Sequence, residues 1–264
     1  MTFAAFLQNL QSTLVVRHIA AFGQELRTVT SSEPREAAQA IMAREVFDIL
    51  PVDDGDSISR YYERQAHGLP RLKQIAVADV VGADLPLLEV IQHFAESGRW
   101  FYLTLGGRRI DGIVTRADLN KPAVRVLIYA ILNQFELLLG KVVEGHYEGT
   151  GWLALLGDSQ AKVEQRLAGA RSKNMELHPI AYVDLPDIVR ICSKTPGARR
   201  MLGVDSEEQL WSDYTPLLSL RNKIAHPVRA LVTAARDVQT LRERIDIAVE
   251  AVSRLEQGLH SSQS

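Results

Sequence analysis

The sequence predicts an α+β protein: an N-terminal pair of α/β units over residues 1–120, then an all-α helical bundle over 121–264. Three observations carry that expectation. A helix followed by two β-rich runs occurs twice in the first half at constant spacing. Alternating β-type patterning stops at Val114. Beyond it, apolar residues recur every three or four positions, the period of a helix with one buried face.

In the first unit, Pro34 opens a helix expected from Arg35 to Arg44, with Ala37, Ala38, Ile41 and Met42 on its apolar side. A strand over Val46–Val52 follows, then the turn Asp53-Asp54-Gly55-Asp56 and a second strand from Ile58. In the second unit, Pro86 opens a helix carrying Leu87, Leu88, Val90, Ile91 and Phe94. The strand Trp100–Leu105, the turn Gly106-Gly107 and the strand Ile110–Val114 complete it. Proline suits a helix start because its missing amide would be unpaired there anyway. The offsets agree, since 86 − 34 and 110 − 58 both equal 52. Two such units can pack their sheets together.

Lys121-Pro122 marks the boundary with the helical half. A helix is expected from Ala123 to Val143, where Val126, Leu127, Ala130, Ile131, Phe135, Leu138 and Leu139 recur at helical spacing, and Tyr129 and Phe135 read as core. Further helices are expected from Asp158-Ser159-Gln160 to Arg171, from Leu185 to Lys194, and from Ser206 into Leu220–Pro227. A last long one is expected from Val228 through Val252.

The segment Leu-Arg-Asn-Lys-Ile-Ala-His-Pro at 220–227 concentrates chemistry. Leu217, Leu220 and Ile224 define a buried stripe, whereas Asn222 and His226, four apart, share another face. At about 100° per residue, His226 lies roughly 200° round from Ile224. Pro227 disfavours helical geometry at His226 and so sets it at a helix end.

Composition limits the function classes. The chain has 264 residues, 46% hydrophobic and 23% charged, with a net charge of −2, as expected of a soluble protein. Residues 1–120 hold 12 basic and 15 acidic side chains and the remainder 18 and 17, so no global nucleic-acid footprint exists. The single cysteine, Cys192, excludes an intrachain disulfide and reads as a buried structural thiol. No metal-ligand cluster is evident. The start lacks the pattern of a secretory signal and the apolar run Val126–Leu132 is short, so the cytoplasm is the expected location, with no membrane partner.

Gly112-Ile113-Val114-Thr115-Arg116-Ala117-Asp118-Leu119 resembles the G-h-h-T-x-x-D-h signature of CBS domains, and Leu50-Pro51-Val52-Asp53-Asp54 is similar to that family's x-P-V-x-D strand. The resemblance implies a tandem pair that binds an adenine nucleotide as a regulatory ligand. Asp118 would hold the ribose hydroxyls and Thr115 would contact phosphate or ribose, with Ile113 in the same site. The residues alone leave a second reading open, in which Thr115 is an N-cap and Asp118 a first-turn acid. Glu63 and Ala66 stand where Thr115 and Asp118 stand, so at most one good site is expected.

Arg221-Asn222-x-x-x-His226 resembles the R-φ-x-x-x-H motif of HEPN domains. That resemblance implies a dimeric, metal-independent ribonuclease. His226 would move the proton, Arg221 would stabilise charge on the phosphate, and Asn222 would orient the histidine or the hydroxyl. Together the two resemblances imply an adenine-nucleotide-regulated endoribonuclease acting as a homodimer on RNA, not DNA, with no cofactor for catalysis. The alternative is a non-catalytic, nucleotide-sensing dimeric scaffold or signalling module, in which Arg221 pairs with acids such as Asp213 or Asp237.

Overall fold

The 52-residue offset extends from helix ends to individual strand pairs. In a computed structural model that describes residues 2–55, 57–173 and 177–261, helix α1 (Phe3–Thr13) and strand β1 (Ala21–Phe22) lead into α2 (Arg35–Glu45). Then come β2 (Ile49–Asp53), β3 (Ile58–Glu63), β4 (Arg71–Gln74), β5 (Val80–Gly82), α3 (Leu87–Ser97), β6 (Phe101–Gly106) and β7 (Arg109–Thr115). The bounds of α2 and α3 differ by 52 at both ends.

Adding 52 to each antiparallel β2–β3 pair gives the β6–β7 register. Ile49↔Glu63 becomes Phe101↔Thr115, and Val52↔Arg60 becomes Thr104↔Gly112. The bulge after Val52 becomes the bulge after Thr104. The parallel bridge Val29↔Val52 likewise becomes Val81↔Thr104.

One feature of the repeat is absent from a helix-plus-hairpin description: the edge strands are exchanged. β1, which precedes the first helix, pairs with β7 of the second repeat, Ala21 opposite Ile113. β4, which precedes the second helix, pairs with β3 of the first, Lys73 opposite Tyr61. These pairs are again 52 apart. The sheet orders β1-β7-β6-β5 and β4-β3-β2, the latter extended by the Val29 bridge, are therefore equivalent.

Period-two alternation builds the core of this unit. Leu50, Val52 and Tyr62 face α2, packing with Val29, Ala38 and Met42. Ile49 and Tyr61 face the other way and meet Phe101 and Leu103 of the second sheet. The expected first strand is shorter than predicted. Val46 ends α2 in the left-handed conformation at φ 58°, its amide donating to the Met42 carbonyl, so β2 begins only at Ile49.

The second half holds α4 (Pro122–His146), α5 (Gln160–Arg171), α6 (Leu185–Lys194), α7 (Pro196–Leu202), α8 (Glu207–Ala225) and α9 (Ala235–Ser261). No strand follows β7 among the described residues. The fold class is α+β. The chain divides into two compact units: Gln11–Val124 with Val232–Gln239, and Met1–Leu10 with Arg125–Leu231 and Thr240–Ser264. Val232 joins the repeat unit because Asn120 accepts from its amide at 3.1 Å and donates to its carbonyl at 2.8 Å. Phe3 joins the helical unit, its amide donating to Glu256 at 2.8 Å.

Two expectations for this half are corrected. The last helix starts at Ala235, not Val228, because Pro227 breaks the chain and Asp237 caps the new start, accepting from Thr233 and Ala234 amides. Tyr129, read as core, is 50% exposed, and Val126 of the helical apolar pattern is 56% exposed; α4 buries Ile128 and Leu132 besides the expected Leu127, Ile131, Phe135 and Leu139. The helix α4 as a whole is long and apolar enough to cross a membrane, and more than half of that stretch is buried within the protein.

Candidate functional site

Two places concentrate chemistry, one in each unit. The first is a cleft of about 470 Å³ between the paired repeats, lined by Arg27, Val46, Phe47, Trp100, Thr115 and Asp118 among others, with Ile113 also in its wall. Thr115 ends β7 and caps the short 3-10 turn Arg116–Asn120. Its amide and its hydroxyl both donate to Asp118 Oδ2 at 2.7 Å, and Lys121 Nζ lies 2.9 Å from Asp118 Oδ1. The capping reading of this pair is therefore realised. Thr115 and Asp118 both line the cleft, and Asp118 Oδ1 and Thr115 Oγ1 each keep acceptor capacity beyond these bonds. Arg116 reaches back to the Gly98 carbonyl at the end of α3, while its Nε is buried without a partner.

The repeat supplies a counterpart, and it is built differently. That shallower depression is lined by Asp48, Glu63, Arg64, Gln65, Ala66 and Trp100. Glu63, in the place of Thr115, pairs with Lys73 at 2.7 Å. No helical turn follows β3, since Ala66 offers no cap. Buried Asp79 pairs with Arg99. Tyr61, 4% exposed, sets its ring edge-on to Phe101 at 5.4 Å, and burial, then the nearby Asp79 charge, pushes its phenol up.

Subtracting 52 shows what changes at the open cleft. Asp79 becomes Arg27 and Arg99 becomes Phe47. The Asp79–Arg99 ion pair of one repeat is thus replaced in the other by an exposed arginine and a half-buried ring. Arg27 has no hydrogen-bond or ion-pair partner among the described residues. Neither Arg27 nor Trp100 belongs to a signature motif; only the repeat register marks them out.

The second place is the end of α8. Ser206 caps its start, accepting from the Gln209 amide at 3.1 Å. Leu217, Leu220 and Ile224 are buried as the stripe requires, and Arg221, Asn222 and His226 are exposed. His226 is the C-cap, in extended geometry at φ −112°, with its amide donating to the Lys223 carbonyl. Arg125 on α4 donates to the Lys223 carbonyl at 3.0 Å and to the Arg229 carbonyl, holding both sides of His226. Within their unit, the Arg221, Asn222 and His226 side chains make no hydrogen bond or ion pair among the described residues, with each other or with Asp213. In the same unit a cavity of about 330 Å³ is lined by Asn133, Glu136, Leu137, Glu144 and His178. Burial raises the Glu136 carboxyl above its ordinary range, and the Arg221 charge opposes that rise. His178 Nδ1 lies 2.9 Å from Glu144 Oε1. No group of three or more His, Cys, Asp or Glu side chains suited to a metal occurs among the described residues.

No family model and no curated protein matches the chain. Among solved structures, it is similar to an uncharacterized conserved protein from Pyrococcus horikoshii, at 19% identity and a TM-score of 0.33 over 41% of this chain and 90% of that one. It is also similar to the CBS domain of a bacterial CNNM/CorC family Mg2+ transporter, solved with an inhibitor. That likeness is at 12% identity and a TM-score of 0.33, over 44% of this chain and 78% of that one. These likenesses concern about two-fifths of the chain and assign no function to it.

Proposed function

We propose that the protein is a sensor whose cleft at Thr115 and Asp118 binds an adenine nucleotide and whose helical unit carries the response. The observation behind this reading is the inversion across the repeat. Where one repeat pairs Asp79 with Arg99, the other offers Arg27 without a partner among the described residues, in a cleft also lined by Phe47 and Trp100. A guanidinium suits phosphate, an aromatic face suits a base, and Asp118 Oδ1 suits a ribose hydroxyl. The CBS-like signature at Gly112–Leu119 points the same way. Titration calorimetry with AMP, ADP and ATP tests it: one site per chain is expected, weakened at least tenfold by Arg27→Ala. Absence of binding by all three nucleotides overturns the reading.

A second reading, RNA cleavage at α8, is favoured by the free side chains of Arg221, Asn222 and His226 at a helix end that Arg125 holds in place. In it, a ribose 2′-hydroxyl attacks the adjacent phosphate as His226 takes its proton. The 5′-oxygen leaves protonated, giving a cyclic phosphate and a free 5′-hydroxyl, while Arg221 stabilises the phosphoryl charge. His226→Ala should lower cleavage by about 10²–10⁴-fold. Cleavage unchanged by both His226→Ala and Arg221→Ala sinks it.

Homodimerisation is part of both readings. The exposed Val126, Tyr129 and Leu137 form a stripe along α4. A two-fold axis at Asn133 would set each Tyr129 against Leu137 of a second copy, a self-complementary contact. Light scattering should report a dimer that Leu137→Glu converts to a monomer.

A further inference from the structure

Val46 combines features that rarely coincide. It is β-branched, it sits in the left-handed region at φ 58° and ψ 39°, and it is 77% exposed. It is the one non-glycine residue with positive φ among the described residues. In that region the side chain crowds its own backbone, and a β-branched residue there is an outlier. The repeat supplies an internal control. Gly98, 52 positions on, ends α3 in the same conformation at φ 66°. The same turn is thus made once without strain and once with it.

Exposed Val46 gains nothing from a core, so its retention needs another cause. It lines the open cleft, and Gly98 does not. The next residue changes in the same sense, from Arg99, which pairs with Asp79, to Phe47, which lines the open cleft. The α2–β2 connection therefore gives the open side two successive apolar walls where the α3–β6 connection has glycine and a cation. Trp100 lies in the wall of the same cleft.

Resting on the nucleotide reading above, we propose that Val46 is a specificity-determining residue. Its isopropyl group is the apolar wall against which the flat base of the ligand packs, and the backbone strain is kept for that contact. Strain that persists at an exposed position is characteristic of ligand clamps. The phosphates, by contrast, fall to Arg27, so base and phosphate recognition are separable.

Val46→Gly in the full chain tests this. The variant should melt about 2–4 °C higher, because glycine removes the strain. Its affinity for AMP should fall about five- to twentyfold, as expected for loss of an aliphatic contact. Its affinity for ribose 5-phosphate, which has no base, should not change. A higher melting temperature with unchanged AMP affinity overturns the proposal, as does an equal loss for both ligands. An unchanged melting temperature removes the strain premise and overturns it as well. If the wild-type protein binds none of AMP, ADP and ATP, the nucleotide reading fails first and this proposal with it.

Discussion

The Arg125 guanidinium donates to the Lys223 carbonyl at 3.0 Å and also reaches Arg229, so one side chain of α4 closes the C-terminal end of α8 around His226. Cations suit helix C-termini because the last carbonyls have no amide partners. Arg125→Ala should cost roughly 1–2 kcal/mol. It should also speed amide exchange at His226 and Arg229, whose backbone bonds to Lys223 and His226 depend on that loop. Hydrogen exchange resolved to residues 221–230 checks it; unchanged protection there would show that the turn holds itself.

Gly112 is required by the exchanged strand. A Cβ at this position would lie 2.3 Å from Thr104 Oγ1 and 2.6 Å from the Phe22 ring of β1. Gly112→Ala should therefore destabilise the repeat unit by about 1–3 kcal/mol through overpacking. At the equivalent position the chain carries Arg60, so Arg60→Ala should be far milder. Thermal unfolding of the two variants side by side decides the point.

Asp237 carries a proton-linked cap. Hydrogen bonds from Thr233 and Ala234 hold its carboxyl well below the usual range, at about 2. A depressed carboxyl stabilises the fold above its ordinary value near 3.8, and that contribution is lost as pH falls through about 2. An NMR titration should find the Asp237 carboxyl carbon titrating near 2, and Thr233→Ala should move it upward. A normal value in the wild type would contradict the cap.

Cys192 is fully buried, and burial pushes its thiol up to about 12. The thiolate is the reactive species, so the folded protein should resist alkylation at neutral pH. Labelling should track unfolding in denaturant. Rapid labelling of the native protein would require an opening of α6.

Much of the repeat was legible because hydrophobic period and proline position are local signals. Pro34 and Pro86 mark both helix starts, and Glu63 takes the strand position in the first repeat that Thr115 takes in the second. The exchanged strands were not legible: Ala21-Phe22 is too short to alternate, and Arg71–Gln74 holds one exposed apolar residue, Leu72, among polar ones. Val46 looked like strand because its composition is strand-like, while the backbone needed a left-handed stop. At α8 the buried stripe and the exposed histidine followed from 3.6-residue periodicity and Pro227. The clamp from Arg125 depends on tertiary packing across 98 positions, which no local pattern carries. The Asp79–Arg99 to Arg27–Phe47 inversion follows from the 52-residue offset, but that Asp79 and Arg99 pair while Arg27 and Phe47 line a cleft depends on the folded chain.

The exchanged edge strands also set an order of events as the chain leaves the ribosome. Tyr61 and Lys73, which join β3 to β4, are separated by 73 − 61 = 12 positions; Ala21 and Ile113, which join β1 to β7, by 113 − 21 = 92. Closing the longer loop costs more entropy, and Ile113 must first be synthesised. The first repeat can complete its sheet early, while β1 waits with an unpaired edge for a partner made last. Until then that edge is open to the β7 of a neighbouring nascent chain, so crowded synthesis should favour intertwined dimers over properly closed monomers.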